Sequence, residues 1–170
     1  LTAATLDEMN VRTATAREYG EAGRVTALAY REFVRPGESA WEAYLDEIAD
    51  VARRAEVATV YIAIDDDRIV GSATLELGER IDDDDPPLEH GEAHIRMLGV
   101  DPQTRGRGVA RALMDACFAA ARDAGRTRMT LHTTHRMTSA QAMYEHLGFR
   151  RRQDRVFPDG FVLLTYERAI

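Results

Sequence analysis

Six residues, Gln103-Thr104-Arg105-Gly106-Arg107-Gly108, stand between the apolar run Ile95 to Val100 and a helical pattern from Val109 to Ala124. Their order describes a strand, a basic glycine-bearing turn and a helix N-terminus. The first N–H groups of a helix have no intrahelical acceptor, and the helix dipole favours negative charge beside them, so such a turn holds phosphates. Gly106 and Gly108 let the backbone approach a ligand without a Cβ in the way, and Arg105, Arg107 and Arg111 add fixed positive charge. A phosphorylated ligand is therefore expected here. A dinucleotide fingerprint fits poorly, because Gly106-Arg107-Gly108-Val109-Ala110-Arg111 carries arginine where close helix–strand packing wants a third glycine.

The elements that must position this turn follow from periodicity. Val11 to Ala14 reads as a short strand; Thr15 with Glu18 forms a capping-box pair opening a helix that runs to Pro36-Gly37. Ser39 with Glu42 repeats the signal, and Trp41, Tyr44, Leu45, Ile48, Val51, Ala52 and Ala55 keep helical spacing, so two helices precede the main sheet. Thr59 to Ile64 and Ile69 to Leu77 form a hairpin around Asp65-Asp66-Asp67. Glu79 to Glu92, with four consecutive aspartates and two prolines, is a loop. Strand 93–100, helix 106–124 and strand 129–134 make a βαβ unit with parallel strands. Gly99 inside its strand suggests a bulge. A short helix capped by Thr138 and Gln141 ends at Gly148, and strands 149–153 and 161–167 flank a Pro-Asp-Gly turn.

The 170 residues are expected to form one domain, 1–170, of α/β (α+β type) class: a mixed, mostly antiparallel twisted sheet with about four helices. A net charge of −7 argues against nucleic acid as a partner. No apolar run approaches the ~18 residues of a membrane span, and the N-terminus has no leader pattern, so a cytoplasmic location is expected. All 22 basic residues are arginine, which genomic composition explains most simply; no side-chain ε-amine exists for self-modification. The single cysteine, Cys117, cannot form an internal disulfide and falls on the apolar stripe of its helix, as a small hydrophobe would. His132, His135 and His146 show no metal-ligand spacing, so no metal is expected, and His146 is placed on a solvated helix face.

Gln103-x-x-Gly106-x-Gly108, preceded by Val100-Asp101-Pro102 and followed a helix and a strand later by Tyr144-Glu145-His146-Leu147-Gly148-Phe149, resembles the GNAT superfamily of acetyl-CoA-dependent N-acyltransferases. The resemblance covers nearly the whole chain. It implies that N–H groups around Arg105, Gly106, Arg107, Gly108, Val109 and Ala110 cradle the coenzyme A pyrophosphate, with Gln103 at the start of the loop. It implies that Val100 bonds the pantetheine arm, that Leu98 offers its N–H near the thioester carbonyl, and that a bulge at Gly99 splays strands 4 and 5 to admit the arm. The implied reaction is direct attack of an amine on the thioester. A free alkylammonium has a pKa near ~10, so a base or water relay must take a proton. The oxyanion needs a donor, and the departing thiolate benefits from an acid.

Tyr144 matches the family's tyrosine acid; the competing reading is a core ring beside Ala140, Met143 and Leu147. For the base, relatives often carry glutamate where this chain has His94. Glu92, two residues earlier, shares the face of His94, Arg96 and Leu98 by strand alternation. His94, Glu92 and a water chain remain open. An asparagine common ahead of the last helix is replaced here by His135-Arg136-Met137-Thr138. The acceptor is expected to be a small-molecule amine, cationic if the acidic segment 79–92 steers it, although a solvated loop explains that segment equally simply. A protein or peptide acceptor, and a non-catalytic acyl-CoA sensor, are the alternatives. The resemblance is compatible with a homodimer.

Overall fold

The computed structural model describes residues 9–170; the N-terminal residues read above for a leader lie outside them. Strand β1 (Asn10–Thr13) leads through a 3-10 turn (Ala16–Glu18) into α1 (Tyr19–Arg31). The turn is held by the Glu18 carboxylate, which accepts the Thr15 N–H at 2.8 Å. Helices α2 (Ser39–Ala49) and α3 (Val51–Ala55) follow, then β2 (Thr59–Asp65), β3 (Arg68–Glu76) and β4 (Glu92–Val100). The remainder is α4 (Val109–Asp123), β5 (Arg128–Thr133), α5 (Thr138–His146), β6 (Arg150–Arg151), β7 (Arg155–Val156) and β8 (Val162–Ala169).

Two helices were expected before the sheet and three are found. The helical spacing runs on through Asp50, yet this residue leaves helical geometry (ψ 75°) and its carboxylate accepts the Arg53 N–H at 3.0 Å, capping α3. Arg54 then turns back under α2. Its guanidinium donates to the Ile48 carbonyl at 2.6 Å and to Thr74 of β3 at 3.0 Å, tying the end of α2 to the sheet from a position 1% exposed. Burial holds its pKa down at about 10.

The sheet runs β1-β2-β3-β4-β5-β8-β6, with β7 on β8. Every pair is antiparallel except β4–β5, the two strands joined by α4. One face carries α1, α2 and α3, through clusters built on Val51, Val60 and Ile62 and on Ala27, Leu45, Ile48 and Met97. The other carries α4 and α5, through Ala73, Leu75, Ala93, Ile95, Leu113, Phe118, Met129, Leu131 and Tyr144. Cys117 is fully buried in that layer and burial pushes its thiol up to about 12, so it packs as a hydrophobe.

The expected bulge exists, two residues from its expected place. β3 pairs Ser72 with Gly99 and Thr74 with Arg96, so Met97 and Leu98 together face Ala73, and Met97 adopts φ 49°. Gly99 is small for a different reason: a Cβ there would lie 3.0 Å from Thr26 Cγ2 and 3.2 Å from Ala29 Cβ of α1. The extra residue reverses the alternation. Leu98 and Val100 join Ala93 and Ile95 on the α4 face, whereas Met97 joins the α1–α2 cluster. Leu98 therefore does not share a face with Glu92 and His94, contrary to the simple period of two.

Candidate active site

β4 and β5 pair only from Glu92–Arg128 to Ile95–Leu131. Beyond that rung they part, because the bulge turns β4 away while β5 continues straight along β8. The gap opens a cleft of about 510 Å³. At one end lies the basic glycine loop, and Leu98, Gly99 and Val100 form a wall; at the other end are His132, Met143 and Tyr144.

The loop has the geometry expected of it. Asp101 accepts the Gln103 N–H at 2.9 Å and starts a 3-10 turn, Pro102–Thr104. Gly106 and Gly108 follow at φ 78° and 81°, a region L-residues avoid, and a Cβ on either would meet only open space. Among the described residues, no N–H from Gly106 to Arg111 finds a protein acceptor; the first bond of α4 is Ala112 N–H to Gly108 O. These open donors at a helix N-terminus suit a pyrophosphate. Arg105, Gly106, Gly108, Val109 and Ala110 line the cleft, whereas Gln103 and Arg107 do not. Arg107 instead pairs with Asp65 at the β2–β3 turn (2.6 Å), and Arg105 pairs with Glu32 at the end of α1 (3.1 Å).

Tyr144 is held by α5 against Phe149 and Tyr166, with ring centroids 5.9 and 6.0 Å away. The ring is thus packed in the core and also borders the cleft. Its hydroxyl has no hydrogen-bond partner among the described residues, and burial raises its pKa, so it keeps its proton at neutral pH.

His94 and Glu92 are brought together, but away from the cleft lining. Thr130 links them, donating to Glu92 Oε1 at 2.6 Å while its oxygen meets His94 Nδ1 at 2.7 Å. His94 is 2% exposed, and burial lowers its pKa well below the usual histidine value. The imidazole that reaches the cleft is His132, packed against His94 in a tilted contact at a centroid distance of 4.8 Å. Strand alternation alone could not find it, because its importance depends on where β5 leaves β4.

A second residue missed in the sequence is Arg136, in the segment where relatives often carry asparagine. It forms a two-armed bridge to Glu38 (2.8 and 2.6 Å), donates to the Phe33 carbonyl and lies 5.7 Å from the Trp41 ring, tying the β5–α5 loop to the α1–α2 loop beside the cleft. The acidic segment 79–92 also departs from expectation. Arg96 binds Asp82 (2.6 Å) and Asp85 (2.7 Å), Arg155 binds Asp85, and Arg80 reaches buried Glu76 (3.1 Å) and Asp85 (3.3 Å). The loop is folded onto the sheet by arginines, and its two inward aspartates are already neutralised.

A model of the acetyltransferase (GNAT) family matches residues 23–149, about three quarters of the chain. The sequence is 28% identical over 119 residues to N-acetyltransferase 8B of Homo sapiens, covering 65% of this chain and 50% of that protein. It is 30% identical over 128 residues to mycothiol acetyltransferase of Geodermatophilus obscurus, covering 75% and 40%. The chain thus spans half or less of the length of these curated relatives. Among solved structures, the fold is shared with a GCN5-related N-acetyltransferase from Rhodopseudomonas palustris (TM-score 0.73, 19% identity, 99% and 100% covered). It is also shared with PaiA N-acetyltransferase from Thermoplasma acidophilum in complex with coenzyme A (TM-score 0.73, 11% identity, 96% and 99% covered). No helix among the described residues is long and apolar enough to cross a membrane. Sequence, topology and the splayed strand pair agree, and the chain belongs to the GNAT family of acetyltransferases.

Proposed function

We propose that the chain catalyses N-acetylation of a small primary amine with acetyl-CoA as donor. The observation that carries this reading is the cleft between β4 and β5, with open backbone donors at the α4 N-terminus at one end and a protonated tyrosine at the other. Acetyl-CoA supplies an acetyl group activated as a thioester. The N–H groups from Gly106 to Arg111 suit its pyrophosphate, and the edge of β4 beyond Ile95, which has no β5 partner, suits an amide-bearing arm lying along Leu98 to Val100. The Leu98 N–H is the donor assigned to the oxyanion, and Tyr144 is assigned the proton given to the departing sulfur. Glu92 and His94 act from behind the cleft wall.

A small acceptor, as the name mycothiol acetyltransferase implies for that relative, is supported by Arg136, which lines the cleft and is held there by its bridge to Glu38. One solved neighbour is a ribosomal-protein-S18-alanine N-acetyltransferase; an extended peptide would need a more open groove. A preference for cations gains no support from Asp82 and Asp85, which arginines already occupy. The test is acetyl-CoA thiol release against polyamines, aminoglycosides, amino acids and short peptides, with products identified by mass. Turnover confined to small amines supports the reading. Turnover of peptides alone would replace it with the peptide reading, and tight acetyl-CoA binding without any acceptor-dependent release would favour a sensor.

A further inference from the structure

We propose that His132 is the residue that takes the proton from the acceptor amine, an inference that rests on the transferase reading above. His132 is the first residue of β5 beyond its last rung with β4, Leu131–Ile95. It stands where the two strands part and borders the cleft that also holds Leu98 and Tyr144. Met129 and Leu131 point into the α4 layer, so alternation sends Thr130 and His132 to the opposite face of the sheet. Among the described histidines, His132 alone lines the cleft.

The ring is held on two sides. Its Nδ1 lies 3.1 Å from the hydroxyl of Thr165, the residue directly opposite on β8, which leaves Nε2 as the nitrogen for the cleft. Its other contact is the His94 ring, inclined at 55°. His94 is itself fixed by proton counting. The single hydroxyl hydrogen of Thr130 goes to the Glu92 carboxylate, so Thr130 can only accept from His94 Nδ1–H, and the neutral His94 ring carries its lone pair on Nε2. Glu92, Thr130 and His94 are thus positioning residues that back the His132 ring.

The charges facing His132 come from several elements: Arg96 and His94 of β4, Arg80 and Asp85 of the pinned loop, and Arg155 of β7. Burial and the three arginines outweigh Asp85 and bring its pKa down to about 4, so the imidazole is neutral at physiological pH; in this assignment its Nδ1–H donates to the Thr165 hydroxyl oxygen and the lone pair lies on Nε2. In the reaction His132 Nε2 first takes a proton from the acceptor ammonium; the freed nitrogen then bonds the acetyl carbonyl carbon, and the C–S bond breaks with its electron pair leaving on sulfur, which takes the Tyr144 hydroxyl proton. The second proton on nitrogen restores Tyr144. His132 releases its proton to solvent, so ammonium and thioester become amide, thiol and one proton.

The test compares wild type, His132→Ala and His94→Gln in thiol release from acetyl-CoA, with glycinamide as the amine, from pH 6.5 to 9.5, alongside calorimetric acetyl-CoA binding. His132→Ala is expected to bind acetyl-CoA within about threefold of wild type and to lose about 100-fold in kcat at pH 7, the usual worth of a general base. That deficit should shrink toward pH 9.5, where the glycinamide amine, with the ~8 of an α-amino group, is already neutral. Added imidazole should restore part of the rate, and His94→Gln should lose less than His132→Ala. A His132→Ala enzyme that keeps more than a third of the rate, or a deficit that is flat with pH, overturns the assignment. If wild type binds acetyl-CoA but does not use glycinamide, the His132 ring resonances decide: saturating acetyl-CoA must shift them, and unshifted resonances overturn the assignment. Failure of wild type to bind acetyl-CoA would instead sink the transferase reading itself.

Discussion

Helix α4 has a left-handed glycine at each end, and the pair separates the cost of backbone strain from the cost of blocking a ligand. Gly108 (φ 81°) precedes the helix at the cleft; Gly125 (φ 73°) follows it, away from the cleft lining. A Cβ on either has nothing within 4 Å, so Gly→Ala introduces no clash at either position. An L-residue in the left-handed region costs ~1–2 kcal/mol, offset by the ~0.4–1 kcal/mol gained through a less flexible unfolded chain. Both variants should therefore lose about 1 kcal/mol in urea denaturation. Their coenzyme A affinities should differ. Gly108→Ala stiffens the segment whose N–H groups stay open from Gly106 to Arg111. Loss of one charge-assisted bond to phosphate, worth ~1.5–3 kcal/mol, means binding weaker by about tenfold or more in calorimetry. Gly125→Ala should bind as wild type. Unchanged affinity in Gly108→Ala, or equal weakening in both variants, would refute the assignment of this loop to the pyrophosphate.

Other expectations follow from packing and charge. A Cβ at Gly23 of α1 would lie 2.0 Å from the Ala49 carbonyl oxygen of α2, so Gly23→Ala must push the helices apart and should cost at least about 3 kcal/mol in denaturant unfolding. His132 binds its proton near pH 4 in the folded chain and near 6.5 in the unfolded one, and the His94 value is depressed in the same direction. The unfolded state thus takes up more protons as pH falls from 6.5 toward 4, and the contribution of these two histidines to stability should drop through that window and add no pH dependence above pH 7. For His132 the loss is about 2 kcal/mol after allowing for partial exposure, and His132→Gln should remove that part of the slope. Asp85→Ala strips a shared partner from Arg80, Arg96 and Arg155 and should cost about 2 kcal/mol, while KM for cationic amines at low salt stays unchanged. A raised KM would show that the loop steers substrate after all.

The glycine loop could be read from the sequence because its signals are local: two residues that tolerate left-handed backbone, arginines beside them, and a helix start. The βαβ unit and the β2–β3 hairpin were legible for the same reason. What failed to show was set by contacts between distant segments. The bulge falls on Met97, which has no compositional reason to adopt positive φ, while Gly99, which has one, is small because α1 presses on it. That two-residue displacement reversed the face of Leu98 relative to His94. The helical rhythm from Trp41 to Ala55 hides the break at Asp50, which is fixed by its own side-chain cap. His132 and Arg136 gained their places from the divergence of β4 and β5 and from Glu38, nearly a hundred residues away in sequence. The aspartates of segment 79–92 looked free because Arg96 and Arg155 meet them only in the folded chain.

The measurement that bears most directly on the central claim is acceptor-dependent thiol release from acetyl-CoA by wild type and Tyr144→Phe, with acetyl-CoA affinity measured on both. Removal of one hydroxyl from a packed ring that borders the cleft should leave affinity unchanged and lower kcat at least tenfold. Equal rates in the two proteins would contradict the role given to Tyr144, and tight binding with no acceptor-dependent release from wild type would contradict acetyl transfer itself.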